Sequence, residues 1–164
     1  MKNAVYTGSF DPITLGHLNV IERGSRLVDQ LIIGIGINSE KKGLFQPAER
    51  LELVRRVVGH LNNVTVETFE GLAVNFVKSC GSQVMIRGVR PMTDIAAEFT
   101  MMMANRQLND QLETVFLMAD GDYAHVSSSL IKQITPLADD EQLRRFVPAS
   151  IIADLRQRLP SKPE

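Results

Sequence analysis

The chain has 164 residues, 44% of them hydrophobic and 23% charged, and a formal net charge of −1. That length supports one domain of ordinary size with a real core. The balanced charge excludes a global field for nucleic acid or an acidic membrane surface, so any anionic ligand has to be held by local groups. The single cysteine, Cys80, excludes an internal disulfide, suits a reducing compartment, and reads as a buried or helix-end thiol. Residues 1–10 lack the apolar core of a signal peptide, and no apolar run is long enough to span a bilayer. The expectation is a cytoplasmic protein with neither nucleic-acid nor membrane partners.

Short runs rich in β-branched residues at 4–6, 31–37, 64–66, 84–86 and 115–117 read as strands covered on both faces. Between them lie helical patterns. The first spans 16–28, marked by Leu18, Val20, Ile21 and Leu27. The second, opened by Pro47, carries Leu51, Leu53, Val54, Val57 and Val58. A third helix over Leu72, Val74, Phe76 and Val77 stops at Gly81. A fourth, 95–108, holds Met101, Met102 and Met103, which suit core filling or a subunit contact. A fifth starts near Ser127, and 150–159 reads as a last helix capped by Ser150. Strand and helix alternate throughout, with no internal repeat or linker. The pattern predicts an α/β fold with five parallel strands and right-handed crossovers, as a single domain over 1–159 with a frayed tail at 160–164.

In such sheets ligands bind beyond the carboxyl ends of the strands, where the strand order reverses. After the first strand come residues 7–17, Thr-Gly-Ser-Phe-Asp-Pro-Ile-Thr-Leu-Gly-His. Gly8 allows close backbone approach, Ser9 offers a hydroxyl, and Asp11-Pro12 fixes a further turn. Gly16-His17 then opens a helix whose free N–H groups and positive dipole end suit an anion. His17 adds a ring N–H that could hold a phosphoryl oxygen as charge builds. After the second strand, Lys41 is a candidate phosphate contact. After the fourth, Arg87 and Arg90 flank Gly88-Val89 and could clamp phosphates bidentately; the bland alternative is two surface arginines paired with Asp94 and Glu98. After the fifth, residues 120–130 bring Tyr123, able to wall a base, and the triplet Ser127, Ser128 and Ser129 at a helix start. His60 reads as a helix C-terminal capping group. His125 lies in the same loop with no evident partner. No Cys/His metal spacing, Walker segment or dinucleotide fingerprint is present.

Residues 7–12 together with Thr14, Gly16 and His17 resemble the first signature of bacterial phosphopantetheine adenylyltransferases. Residues 86–90, Asn105-Arg106 and 126–132 resemble later signatures of that family, in the same order and spacing up to about residue 155. Thr14 stands where related cytidylyl- and nicotinate-type enzymes usually carry histidine. The resemblance implies a Rossmann-like doubly wound sheet with helices on both faces. It also implies adenylyl transfer from ATP to 4′-phosphopantetheine, giving dephospho-coenzyme A and pyrophosphate, with Mg²⁺ bound through the ATP phosphates. By the same resemblance Ser9, Lys41, Ala73 and Arg87 should contact phosphopantetheine. ATP should meet Ser9, Phe10, His17, Gly88, Val89, Arg90, Glu98 and the stretch Tyr123, Ala124, His125, Val126, Ser127, Ser128 and Ser129. The family is typically a hexamer, a dimer of trimers, and coenzyme A would be a product-like ligand.

Three departures stand out: Thr7 for a usual proline, Ile95-Ala96-Ala97 for an aromatic-acidic stretch, and His125 for an aromatic. A phosphate monoester is already an anionic nucleophile, so the chemistry needs placement and charge neutralisation more than a base. His17, Lys41 and Arg90 are accordingly the catalytic candidates. A transferase for another phosphorylated acceptor and a non-catalytic nucleotide-binding module of the same fold are the alternatives.

Overall fold

The protein is described here by a computed structural model covering residues 2–38, 40, 42–89 and 95–160. The apolar runs become the inner strands β1 (Asn3–Gly8), β2 (Gln30–Ile37) and β4 (Val84–Val89). The edge strands are β3 (Val64–Glu70) and β5 (Glu113–Met118). All pairings are parallel and the order is β3-β2-β1-β4-β5. The chain builds outward from β1 to β3, then crosses back to add β4 on the other side of β1. The order therefore reverses between β1 and β4, and that is where a doubly wound sheet opens a crevice. The opening begins early: β1 pairs with β2 from Asn3 opposite Gln30 to Gly8 opposite Ile35, but with β4 at Val5–Met85 and Tyr6–Ile86.

The helices cover both faces, as expected. On one face lie α1 (Leu15–Ser25) and α2 (Pro47–Val58), joined by α5 (Ser128–Ile134), α6 (Asp140–Leu143) and α7 (Ile152–Arg158). Val20 and Ile21 of α1, Leu53, Val54, Val57 and Val58 of α2, Ile131 and Leu155 bury there against Ala4, Tyr6, Leu31, Ile33 and Ile86. On the other face α3 (Ala73–Ser79) and α4 (Ile95–Leu108) meet a smaller core of Val5, Ile32, Val74, Phe76, Val77, Met85 and Leu112. Pro47 occupies the first turn of α2, where its missing N–H costs nothing. A reciprocal cap closes that end, with the Gln46 N–H donating to Glu49 Oε2 at 2.8 Å.

Several sequence expectations shift. The edge strands run longer than 64–66 and 115–117, because an edge strand tolerates the polar residues that hide it in an apolar pattern. The last helix does not begin at Ser150. A 3-10 turn at Ala149–Ile151 follows Pro148, and α7 starts at Ile152 without a side-chain cap, while the Ser150 carbonyl accepts from Arg56 Nη1 at 3.0 Å. His60 does not cap α2 either; its Nε2 sits 3.1 Å from Glu22 Oε1 of α1. Met101 and Met103 are 56% and 45% exposed, so they do not fill the core of this chain. Cys80 is half-buried at the C-cap of α3, where burial and the nearby Glu67 push its thiol pKa up, away from thiolate reactivity. Residues 161–164 of the expected tail lie outside the described residues. Among the described residues no helix is long and apolar enough to cross a membrane.

Candidate active site

Two adjoining cavities open at the carboxyl ends of the strands. The first, about 320 Å³, lies over the β1–β4 crevice. Thr7, Gly8 and Ser9 form one wall and Arg87, Gly88 and Val89 the other; Gly16 and His17 of α1, Glu98 of α4 and Val126, Ser127, Ser128 and Ser129 complete it. The second, about 400 Å³, runs toward the ends of β2 and β3 under α3 and α4, past Phe69, Leu72, Ala73, Met101 and Met102. Thr7, Gly8, Ser9, Arg87 and Glu98 line both. One cavity is ringed by hydroxyls and a histidine, the other is mostly apolar, and they meet at Ser9 and Arg87.

His17 is the third residue of α1 and forms a reciprocal cap with Thr14. The His17 N–H donates to Thr14 Oγ1 at 3.3 Å, and the Thr14 N–H donates to His17 Nδ1 at 3.1 Å. Nδ1 therefore acts as an acceptor, which assigns the ring proton to Nε2 in the neutral imidazole. Thr14 is 1% exposed, so the lock is shielded from water. The N-terminus of α1 is less open than its sequence implied. The Leu15 N–H donates to Phe146 O at 2.9 Å, leaving Gly16 as the first-turn amide without a partner among the described residues.

The serine triplet divides its work. Ser127 caps α5 by accepting from the Leu130 N–H at 3.1 Å, and Ser128 donates to Pro12 O at 2.8 Å. The Ser129 and Ser9 hydroxyls have no partner among the described residues. Asp120 fixes the start of this loop: it accepts from Arg23 Nη1 at 3.0 Å and from Asn19 Nδ2 at 2.6 Å, both on α1.

Arg87 is the most heavily bonded group of the site. Its Nε and Nη2 donate to the two Glu98 carboxylate oxygens at 2.7 and 2.6 Å, and Nη1 donates to Thr7 O at 2.6 Å. The pairing foreseen as the bland alternative is thus present for Arg87, inside the cavity and not on the surface. Burial alone would lower the Arg87 pKa, but Glu98 and, more weakly, Tyr6 raise it, so the guanidinium stays charged. Gly88 is demanded by what lies behind it, since a Cβ there would come within 3.0 Å of the Tyr6 hydroxyl and 3.1 Å of Val20.

Other expected residues fall differently. Ala73 lines the second cavity. Phe10 is fully buried with φ 46°, its ring edge-on to Tyr6 and 5.0 Å from that of His17, and it lines neither cavity. Tyr123 packs against the core, His125 stands edge-on to Phe146, and neither they nor Ala124 line a cavity. Lys41 and Arg90 lie outside the described residues. No group of three or more His, Cys, Asp or Glu side chains able to hold a metal occurs among the described residues.

One residue of consequence was not read from the sequence. Arg50 of α2 is 7% exposed; its Nη1 donates to Ser9 O at 3.0 Å and more loosely to Gly36 O at 3.5 Å, and its Nε is buried without a partner among the described residues. A buried cation thus underlies the Ser9 turn. The signal was available, because Arg50 falls on the same helical stripe as Leu53, Val54 and Val57.

The sequence profile of the cytidylyltransferase-like family matches residues 5–134. A phosphopantetheine adenylyltransferase of Rhodopirellula baltica is 64% identical over 157 residues, covering 95% of this chain and 88% of that protein. One from Clostridium botulinum is 44% identical over 158 residues, covering 96% and 98%. Among solved structures, nicotinic acid mononucleotide adenylyltransferase of Plasmodium falciparum in complex with NaAD superposes with a TM-score of 0.62 at 14% identity, covering 96% of each chain, which is a likeness of fold. With the reversal-point crevice, the capped histidine and these identities together, the chain belongs to the phosphopantetheine adenylyltransferase family of cytidylyltransferase-like enzymes.

Proposed function

We propose that the protein transfers the adenylyl group of MgATP to 4′-phosphopantetheine, releasing pyrophosphate and dephospho-coenzyme A. The observation that carries this reading is the junction of a polar and an apolar cavity at Ser9 and Arg87. A nucleotide in the first and a pantetheine arm in the second would bring the α-phosphorus and the attacking phosphate to one point. The acceptor phosphate is itself the nucleophile, so in-line placement and neutralisation of charge supply the catalysis.

In this mechanism His17 Nε2–H donates to the α-phosphate as charge develops, with Nδ1 held by Thr14 so that no reorganisation is needed. Lys41 and Arg90 are proposed to share the phosphate charge, with Ser129 and the remaining donor capacity of Ser127 on the outer phosphates. Gly88, Val89, Val126 and Ser128 shape the nucleotide side, and Phe10, Tyr123, Ala124 and His125 act through backbone or by bordering it. Arg87, together with Ser9 and Ala73, takes the acceptor; to grip its phosphate, Arg87 trades part of its bond to Glu98. Mg²⁺ carried on the ATP phosphates would offset part of their charge, and no side chain of this chain is assigned to it.

The reading includes a cytoplasmic enzyme that assembles as a dimer of trimers, supported by the apolar side chains that α4 leaves exposed, and coenzyme A is expected to occupy both cavities. Pyrophosphate release tests it over a panel of acceptors. Turnover with ATP and phosphopantetheine, well above that with nicotinate mononucleotide, is the expected result. ATP binding without turnover on any acceptor would leave only a nucleotide-binding module.

A further inference from the structure

Asp11 marks a turn in the sequence, yet its side chain is 7% exposed and fully engaged. Oδ1 accepts from the Phe45 N–H at 2.8 Å. Oδ2 accepts from the Leu44 N–H at 2.8 Å and from Lys132 Nζ at 2.7 Å. Those partners come from two other segments, the β2–α2 loop and α5. The fit is close, since a Cβ on Gly43 would lie 3.2 Å from Asp11 Oδ2 and 3.0 Å from the Phe45 carbonyl. Ser128 closes the triangle by donating to Pro12 O at 2.8 Å. Neither Asp11, Leu44, Phe45 nor Lys132 lines either cavity. A group this well bonded, lying behind the site, acts on whatever the joined loops carry. In the chain, Lys41 precedes Gly43 by two positions.

We infer that Asp11 and Lys132 are a positioning pair for the transfer step: they fix Leu44 and Phe45 of the β2–α2 loop against the β1–α1 turn, and the role proposed above for Lys41, two positions before Gly43 in the chain, depends on that anchor. The inference rests on the transferase reading above. It assigns to these two residues a role in kcat without contact to either substrate. Two backbone donors and an ammonium on one carboxylate form a charge-assisted network. Breaking it frees the loop by the ångström or so that costs a transfer reaction about 10²-fold.

The test is a double-mutant cycle on pyrophosphate release at saturating ATP and phosphopantetheine. Asp11→Asn and Lys132→Met should each lower kcat at least about tenfold, with KM for ATP within about threefold, and Lys132→Arg should restore most of the loss. Combined with Lys41→Ala, either should cost no more than Lys41→Ala alone, because both act through that lysine. Amide exchange at Leu44 and Phe45 should quicken in both single variants. Multiplicative losses in the cycle, a loss confined to KM, or Lys132→Met at full kcat would overturn the pair. If Asp11→Asn proves unfolded by circular dichroism, the Lys132→Met cycle decides alone. A wild type inactive on every acceptor tested would instead remove the transferase reading, a failure distinct from an active enzyme with additive losses.

Discussion

The two faces of the sheet are finished to different degrees. Over β1 and β2, helices α1 and α2 turn the large apolar side chains of their inner stripes into core, and α5 to α7 add Ile131, Leu143, Ile152 and Leu155 to it. On the opposite face α4 buries Asn105, while Ile95, Phe99, Met101, Met103 and Leu108 remain between 45% and 59% exposed. The helices of the first face bury their stripes within one chain, and the exposed leucines beside them, Leu27 and Leu137, lie in connecting turns. The second carries apolar area of the kind that elsewhere marks a contact with another chain. The contrast teaches that the first cavity is built mainly on the finished face, with Ala97 and Glu98 coming from α4, whereas the second is roofed by the helix with unfinished packing.

The largest expected effect tests the finished face. Leu53→Ala, at 3% exposure, should cost about 2–5 kcal/mol in denaturant unfolding, since it removes transfer energy and leaves a cavity. His17→Ala, on the same face, should lower kcat by about 10²–10³, some 3–4 kcal/mol of transition-state stabilisation, with the melting temperature nearly unchanged. Near-normal turnover would remove His17 from the reaction. On the other wall, Arg87→Ala should act mainly on the acceptor, raising KM for phosphopantetheine about tenfold or more while KM for ATP moves less. An unmoved acceptor KM would reject that assignment.

A smaller effect concerns acid stability. Burial pushes the Asp11 pKa up, but the Lys132 hydrogen bond, the Phe45 and Leu44 amides and the Lys132 charge outweigh it and hold the carboxyl below its ordinary 3.8. A depressed folded-state pKa stabilises above the unfolded value and loses that contribution as pH falls through the folded value. Wild type should therefore exceed Asp11→Asn in stability at neutral pH, and the gap should close below pH 3.8. A gap that widened in acid would contradict the ion pair. The smallest change is expected from Met101→Ala, within about 0.5 kcal/mol for the isolated chain because the side chain is already exposed. Sedimentation of a Phe99→Asp variant then reads the face itself, which should fall to a smaller assembly if other copies cover it.

The sequence revealed most where one physical cause dominated. β1 and β2 were visible because burial on both faces leaves unbroken apolar runs, and Pro47 announced α2 through its fixed φ. The cradle was visible because Gly8, Ser9, Gly16 and His17 are contiguous in the chain. Groups whose roles depend on distant partners were not visible. Glu22 claims His60 from another helix, and the Asp11 carboxylate works on Leu44 and Phe45 more than thirty positions away. α6, four residues long, is too short to leave a period. The burial of the Phe10 ring was not visible either, because it depends on packing against Tyr6.

The short β1–β4 ladder has a mechanical consequence. Beyond Tyr6 and Ile86 the two halves of the sheet are no longer stitched by backbone pairs, and the next fastener across the gap is the Arg87 guanidinium on the Thr7 carbonyl. The fastener is also the proposed phosphate grip. On the proposed reading Arg87 keeps Nη1 on the Thr7 carbonyl and gives up part of Glu98 to hold the acceptor, so one guanidinium would serve as rivet for the seam and as socket for the ligand.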